Sequence, residues 1–567
     1  MNRWLVALGA GVLYAWGASR GAEHYYYAAA VRSMSESWHA FAFGALDPTG
    51  AITVDKLPGM LWVQALCVRA FGFSPAVLLA PHAVGATATV LALYGSVRRW
   101  AGERAALLAA AALALTPITF ATAAGTLPDT FLACCLVVAA YLLTRGLESG
   151  SPGWLVGAGL MIGLGFHMKM LAALVPLPAF VAALVVGGRA RLARAGLLTA
   201  VSAAACLPWL LLVAATPPTE RPWLDGTATN SVWELVLVRN GLDRAGTGTA
   251  PFGGEPGLGR LLNAQLGGQI GWLLPLALAG VIAAALTRRI RRDPHWVLWA
   301  GWLALGAAVI SAAGGVHPYY TTLLAPPVAA LAAAGIPLLT RHGLPLAVLA
   351  TGACAAFLAW RAAETATAVL LLAAALLAAT FAHHRAGPAL ALLAALAGPA
   401  IWIARTPPLA PHTLQTTNPV AGPYREDVVF GHLPPRTLMS RLYGTPPAGP
   451  VTTRLPGLDP DPALLALLLR QPPDRRYLLA TGDASSATPY LAAGYRVLPM
   501  GGFTADSPAP DLATLSRLVA TGELRYIAVY PMPAGPAAAR TAWVRTHCTP
   551  ARPPLYDCAV PKALIDH

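Results

Sequence analysis

Thirteen apolar runs, each close to the length of a bilayer-crossing helix, are joined by short connections whose arginine clusters fall on every second one. The runs lie at roughly 3–20, 76–97, 104–122, 129–146, 153–169, 170–187, 196–214, 268–287, 295–314, 319–339, 343–360, 365–383 and 388–404. A spanning helix needs about 20 apolar residues. The clusters are Arg98, Arg99 and Arg104; Arg145; Arg189, Arg191 and Arg194; Arg288, Arg289, Arg291 and Arg292; Arg341; and Arg385. With the N-terminus in the cytoplasm all of them fall on the cytoplasmic side, as basic residues in short loops do. An odd number of spans then places the C-terminus outside. The expected architecture is a polytopic α-helical membrane protein of about 13 transmembrane helices.

Composition agrees. Only 11% of the 567 residues are charged, against about 25% in a soluble domain. The formal charge of +14 is accounted for by the topological arginines, and no basic stripe interleaved with aromatics marks a nucleic-acid surface. The first run, Trp4 to Ser19, has the length of a signal peptide but no small-residue cleavage site, so it reads as a retained helix. Counting residues 57–72 as a further span would reverse every later loop. That stretch is therefore expected to lie in the interface, with Trp62 in the aromatic belt and Gln64 and Arg69 facing headgroups.

The domain reading is a membrane unit at 1–404, with an external loop at 21–75, a Pro-rich linker at 405–455 and a soluble α/β domain at 456–567. In the last of these, helical stretches at 462–470, 487–493, 511–521 and 537–547 alternate with strand-like stretches at 477–480, 495–500 and 525–530. Cys548 and Cys558 stand in this polar tail with no metal-binding pattern around them. A disulfide suits them, and with it an oxidising compartment. The other five cysteines lie in apolar runs as packing residues.

Polar residues in so apolar a chain call for an account. Residues 23–58 hold Glu23-His24-Tyr25-Tyr26-Tyr27, Asp47 and Thr53-Val54-Asp55-Lys56-Leu57-Pro58. Glu23, Asp47, Asp55 and Asp129 share one face in this topology. They could bind a cation or supply a general base, or simply be solvated, and Asp47-Pro48-Thr49-Gly50 has an evident turn role. Glu23, His24 and Asp55 are the candidates for a divalent metal. Lys56 is a point charge at phosphate level. Lys169 follows an apolar run with no cytoplasmic loop to explain it, and either snorkels or binds phosphate. Arg239, Arg244 and Arg260 run against the positive-inside trend, and Arg244 is the one singled out. Tyr319 and Tyr320 begin a span as belt residues or as hydroxyl donors.

Several stretches together resemble the GT-C membrane glycosyltransferases of family 39, which include protein O-mannosyltransferases and lipid A aminoarabinose transferases. The likeness is to the actinobacterial-type branch. They are Tyr26-Tyr27-Ala28-Ala29-Ala30-Val31, Ser37-Trp38, Phe43-Gly44, Ile52-Thr53-Val54-Asp55-Lys56, Leu127-Pro128-Asp129 and Lys169-Met170. Gly267-Gly268-Gln269-Ile270, His317-Pro318-Tyr319-Tyr320, Tyr477-Leu478-Leu479-Ala480-Thr481 and Met500-Gly501-Gly502-Phe503 follow in order. The resemblance implies inverting transfer of a sugar from a polyprenyl-phosphate donor to an envelope acceptor on the non-cytoplasmic face. It implies catalytic roles for Glu23, Asp55 and Asp129, and donor-headgroup roles for Lys56, Lys169, Arg244 and Tyr319 or Tyr320. The family's acidic pair in the first loop falls on Glu23-His24, and Leu57 interrupts its acidic-Lys-Pro motif, so Asp55 competes with Glu23 for the base. A transporter or lipid flippase is the alternative, disfavoured by the lack of an internal repeat. A non-catalytic envelope scaffold is the other.

Overall fold

The computed structural model describes residues 2–187, 190–243, 252–339, 342–381, 387–410, 414–425, 428, 460–503, 505–529, 535–552 and 554–559. Arg244 lies outside them, as does most of the expected linker. Helix occupies most of the described part of each of the thirteen apolar runs. Among the described residues, eight helices are long and apolar enough to cross a membrane by themselves: Pro75–Ala114, Pro128–Ser149, Pro152–Leu174, Arg191–Ala215, Gly267–Leu286, Pro294–Ala312, Pro318–Leu338 and Gly343–Arg361. The first half of the chain builds α1 (Asn2–Ser19), α2 (Tyr25–Glu36), α3 (Trp38–Phe43), α4 (Gly59–Phe71), α5 (Pro75–Ala114), α6 (Pro117–Ala123), α7 (Pro128–Ser149), α8 (Pro152–Lys169), α9 (Leu177–Val186) and α10 (Arg191–Ala215). Two expected spans merge in α5, whose backbone leaves helical geometry at Gly102 (φ 88°, ψ 175°).

Local sequence explains the boundaries. Proline opens α5, α6, α7 and α8 at the first helical turn, where its missing N–H costs nothing. Small residues let the helices close. A Cβ on Gly159 would lie 2.8 Å from the Cβ of Val201, and one on Gly163 would overlap Ala205. This Gly-x-x-x-Gly face therefore brings α8 against α10 at backbone distance. Large apolar side chains such as Trp4, Leu8, Val84, Leu286, Leu370 and Leu393 remain exposed on the bundle surface, as lipid-facing positions require.

Two sequence expectations are corrected. The polar side of α4 does not face headgroups. Gln64 is buried and donates to the carbonyl of Leu78 at 3.0 Å, and the Trp62 indole donates to that of Phe41 at 2.7 Å. Arg69 donates to the carbonyl of Met34 at 2.9 Å and stacks on Trp38 at 3.8 Å. The exposed residues of α4 are instead the apolar Leu66, Ala70 and Phe71, because polar groups cost more in lipid than in a protein crevice that offers them partners. The start of the expected linker is also not loose. Leu409 N–H donates to the carbonyl of Arg20 at 2.8 Å, and Ala421 exchanges two 2.9 Å hydrogen bonds with the Gln269 side chain.

The C-terminal unit is a five-stranded sheet in the order β2-β1-β3-β5-β4, built from β1 (Leu479–Thr481), β2 (Val497–Pro499), β3 (Tyr526–Ala528), β4 (Thr549–Arg552) and β5 (Leu555–Asp557). The first three are parallel, and β4 and β5 close the edge antiparallel. Crossover helices Ala484–Ala492 and Leu512–Ala520 begin on Asp483 and Asp511, whose side chains accept from Ser486 N–H and Thr514 N–H. Cys548 and Cys558 form a disulfide across the base of the β4–β5 hairpin.

Candidate active site

Chain entry from α1 into α2 is fixed by a bridge between Ala22 and Gly125 and by His24 N–H donating to Thr126 Oγ1 at 2.8 Å. These ties hold the three tyrosines at the start of α2 beside the segment that precedes α7. The later part of the loop is folded by Asp47, whose carboxylate accepts from the backbone N–H groups of Thr49 (3.0 Å), Ala51 (2.9 Å) and Ile52 (3.2 Å). Burial nonetheless raises its pKa. Asp47 is a turn-former in this loop, committed to these backbone groups and to the Thr49 hydroxyl. Past it, Ile52 bridges to Trp223, and Thr53 N–H donates to the Trp223 carbonyl at 2.8 Å. The Asn240 amide donates to the carbonyl of Asp55 at 3.2 Å. The next two side chains are thereby delivered to one end of the bundle.

Two lysine–aspartate pairs meet there. Lys56 Nζ is 2.7 Å from Asp55 Oδ2, and Lys169 Nζ is 2.5 Å from Asp129 Oδ1. Asp129 stands in the first turn of α7 and Lys169 at the last residue of α8, the helix ends that favour an anion and a cation respectively. The pairs are joined by aromatics. Tyr27 lies within electrostatic reach of Lys56, Asp55 and Tyr320. Lys169 sits over the Tyr320 ring at 3.9 Å and the Tyr319 ring at 4.9 Å, contacts worth roughly 0.5–2 kcal/mol. His317 orients the tyrosines from behind, stacking on Tyr319 at 4.9 Å and meeting Asn418 Oδ1 at 3.2 Å.

Lys169 therefore does not snorkel: it is 11% exposed and paired inward. Tyr319 and Tyr320 present ring faces to this cation and are not simple belt residues. His24 is buried and neutral, its pKa lowered to about 3 by burial first and by Lys56 second. Burial likewise raises Tyr27 to about 12 against the pull of Lys56. Glu23 belongs to neither lysine–aspartate pair. It is half-buried, and among the described residues its carboxylate makes no hydrogen bond or ion pair. Arg260 is structural: its buried guanidinium donates to the carbonyls of Gly253, Ile310, Ala313 and Gly314, which accounts for an arginine in this loop.

The expected metal ligands do not fit a cation. Among the described residues no three His, Cys, Asp or Glu side chains converge. Asp55 carries the ammonium of Lys56, and among the described residues Glu23, His24 and Asp55 do not converge as a ligand set.

Sequence reasoning missed Asp225. This residue is 1% exposed and accepts at Oδ2 from the Tyr26 hydroxyl (3.2 Å) and from Phe503 N–H (2.8 Å). Burial, and then the nearby Asp55 charge, raise its pKa to about 7. No local motif announces it, and only its place in a long polar loop between apolar runs was visible.

Residues 55–212 match the family model described as dolichyl-phosphate-mannose-protein mannosyltransferase, a span that takes in Asp55, Lys56, Asp129 and Lys169. Residues 464–547 match the model "Putative mannosyltransferase YkcB-like, C-terminal". Two Bacillus subtilis (strain 168) proteins with the same mannosyltransferase description align with nearly the whole chain. YycA is 28% identical over 88% of this chain and 87% of its own length, and YkcB is 27% identical over 92% and 87%. The crystal structure of ArnT from Cupriavidus metallidurans bound to undecaprenyl phosphate superposes with a TM-score of 0.56 at 15% identity, covering 98% of this chain and 99% of that one. The chain is a membrane glycosyltransferase with the GT-C fold. Its glycosyltransferase character and its several apolar spans make it a multi-pass membrane enzyme.

Proposed function

We propose that this glycosyltransferase moves a sugar, with inversion, from a polyprenyl-phosphate-linked donor to an envelope acceptor at the non-cytoplasmic face. Residues 1–404 are the catalytic unit in this reading, and 456–567 form an extracytoplasmic α/β domain. The observation that carries the reading is the meeting of two lysines, each balanced by an aspartate, at one end of the bundle. The undecaprenyl phosphate in the ArnT crystal structure supports a lipid phosphate as the group these cations receive.

The chemistry is a single displacement. An acceptor O–H attacks the anomeric carbon while the bond from that carbon to the phosphate oxygen breaks on the opposite face. The leaving lipid phosphate gains one negative charge in this step. Lys56 and Lys169 meet that charge as it develops, so they stabilise the transition state more than the bound donor. Asp55 takes the acceptor proton. Asp129 holds Lys169 in place, and the rings of Tyr319 and Tyr320 keep the ammonium oriented. Glu23 has no part in the step.

The test is release of polyprenyl phosphate from a polyprenyl-phosphate hexose by purified protein in nanodiscs. Wild-type turnover with loss in Asp55→Asn and Lys56→Ala supports the assignment; wild-type rates in both variants would overturn it. Labelling of Cys548 in intact cells after reduction tests the orientation, and protection from an impermeant reagent would place the tail on the cytoplasmic side.

A further inference from the structure

The sharp Gly501-Gly502-Phe503 turn after β2 is not needed to finish the sheet. Gly501 and Gly502 have φ of 75° and 69°, values that L-residues rarely adopt. A Cβ on Gly502 would overlap the Asp225 carboxylate. The turn thus exists in a form that lets the C-terminal unit approach that carboxylate without an intervening side chain. Phe503 then places its N–H on Asp225 Oδ2 at 2.8 Å and its ring 4.8 Å from that of Tyr26. Arg540 braces the turn from behind, donating to the carbonyls of Ser507 at 3.1 Å and Pro510 at 3.4 Å.

Asp225 also reaches the catalytic loop. Its N–H donates to Thr53 Oγ1 at 3.1 Å, two residues before Asp55, and its Oδ2 fixes the hydroxyl of Tyr26, next to Tyr27. One residue therefore touches the C-terminal unit, the start of α2 and the strand-like segment carrying Asp55 and Lys56. We propose that Asp225 is a positioning residue that latches the Gly501-Gly502-Phe503 turn onto the catalytic loop, making the C-terminal unit a structural part of the active site.

The protonation of the latch follows from what surrounds it. Asp55 and Asp506 place like charge near Asp225, Tyr26 and the Phe503 amide donate to one of its oxygens, and Arg239 lies against the adjacent Gly226. The other oxygen, Oδ1, is buried without a hydrogen-bond partner. A neutral acid tolerates that arrangement better than a carboxylate does. The latch is accordingly tight when Asp225 is protonated and weakened when it ionises beside Asp55.

Hydrogen–deuterium exchange of the full chain in nanodiscs tests this at pH 6 and pH 8, with rates corrected for intrinsic exchange. Wild type loses protection together at 499–506 and 52–57 on going to pH 8, Asp225→Asn keeps both protected at both pH values, and Asp225→Ala and Gly502→Ala expose both. Unchanged protection at 52–57 while 499–506 loosens would overturn the proposal, as would an Asp225→Asn variant that follows the wild-type pH response. This arm needs no donor, so it stands apart from the sugar-transfer reading. The kinetic arm rests on that reading: Asp225→Ala lowers kcat roughly 10²-fold by misplacing the loop with donor KM unchanged, and a KM effect alone would count against positioning.

Discussion

The two lysine–aspartate pairs look alike in chemistry and differ in construction. Asp55 and Lys56 are neighbours in sequence, so pairing them costs no loop closure, and they remain 15% and 19% exposed. Asp129 and Lys169 are forty residues apart on two spanning helices and are 2% and 11% exposed. The first pair can open to a substrate without disturbing the fold. The second is tied into the bundle, where an unmatched charge is expensive. In the proposed reaction, equal chemistry at unequal depth divides the labour: the loop pair opens to react, and the helix pair holds Lys169 where it meets the leaving phosphate.

Substitutions can break or sharpen this contrast. Asp55→Asn is expected to lower turnover by about 10²–10⁴, the usual worth of a positioned acid or base, with an unchanged melting temperature by differential scanning fluorimetry. Asp129→Asn strands the Lys169 ammonium and is expected to destabilise the bundle by about 3–5 kcal/mol; the double variant Asp129→Asn with Lys169→Met recovers the melting temperature and not the activity. A merely catalytic effect in Asp129→Asn would erase the distinction between the pairs. Lys56→Ala is expected to lose about 10²–10³ in kcat, the scale of one lost electrostatic donor.

Protonation gives a smaller effect of fixed sign. The folded-state pKa of Asp225 is raised to about 7 from 3.8. Between those values the folded chain holds a proton that the unfolded chain has released, so stability falls as pH rises from about 4 to about 7 and is flat above. Chemical denaturation across that range reads it, and Asp225→Asn removes the slope. Smallest of all, Glu23→Gln is expected to change activity by less than roughly 0.5 kcal/mol, since among the described residues its carboxylate makes no hydrogen bond or ion pair. A large loss would return the base to Glu23 and undo the reading of the loop pair.

Much of this was legible in the sequence because charges are so costly among apolar runs. Asp129 and Lys169 stood out singly for that reason, and the His317-Pro318-Tyr319-Tyr320 turn through the family resemblance. Their meeting did not, because nothing local encodes which helix ends become neighbours. The α4 helix was misread because Gln64 and Arg69 have partners at Leu78 and Met34, contacts that an amphipathic pattern does not display. The β4–β5 hairpin went unseen because Pro550, Pro553 and Pro554 mask a strand signal that edge pairing tolerates. Asp225 gains its importance only from a turn 278 residues away.

The close seating of α8 on α10 at Gly159 and Gly163 has a consequence for where the reaction takes place. Lys169 ends that same helix, and a helix locked at backbone distance to its neighbour cannot slide along it. The depth of the ammonium is thus registered against protein and not against lipid. A thicker or thinner bilayer would tilt the bundle or be deformed around it, while the spacing between the lysine and the loop that faces it stays as the fold sets it.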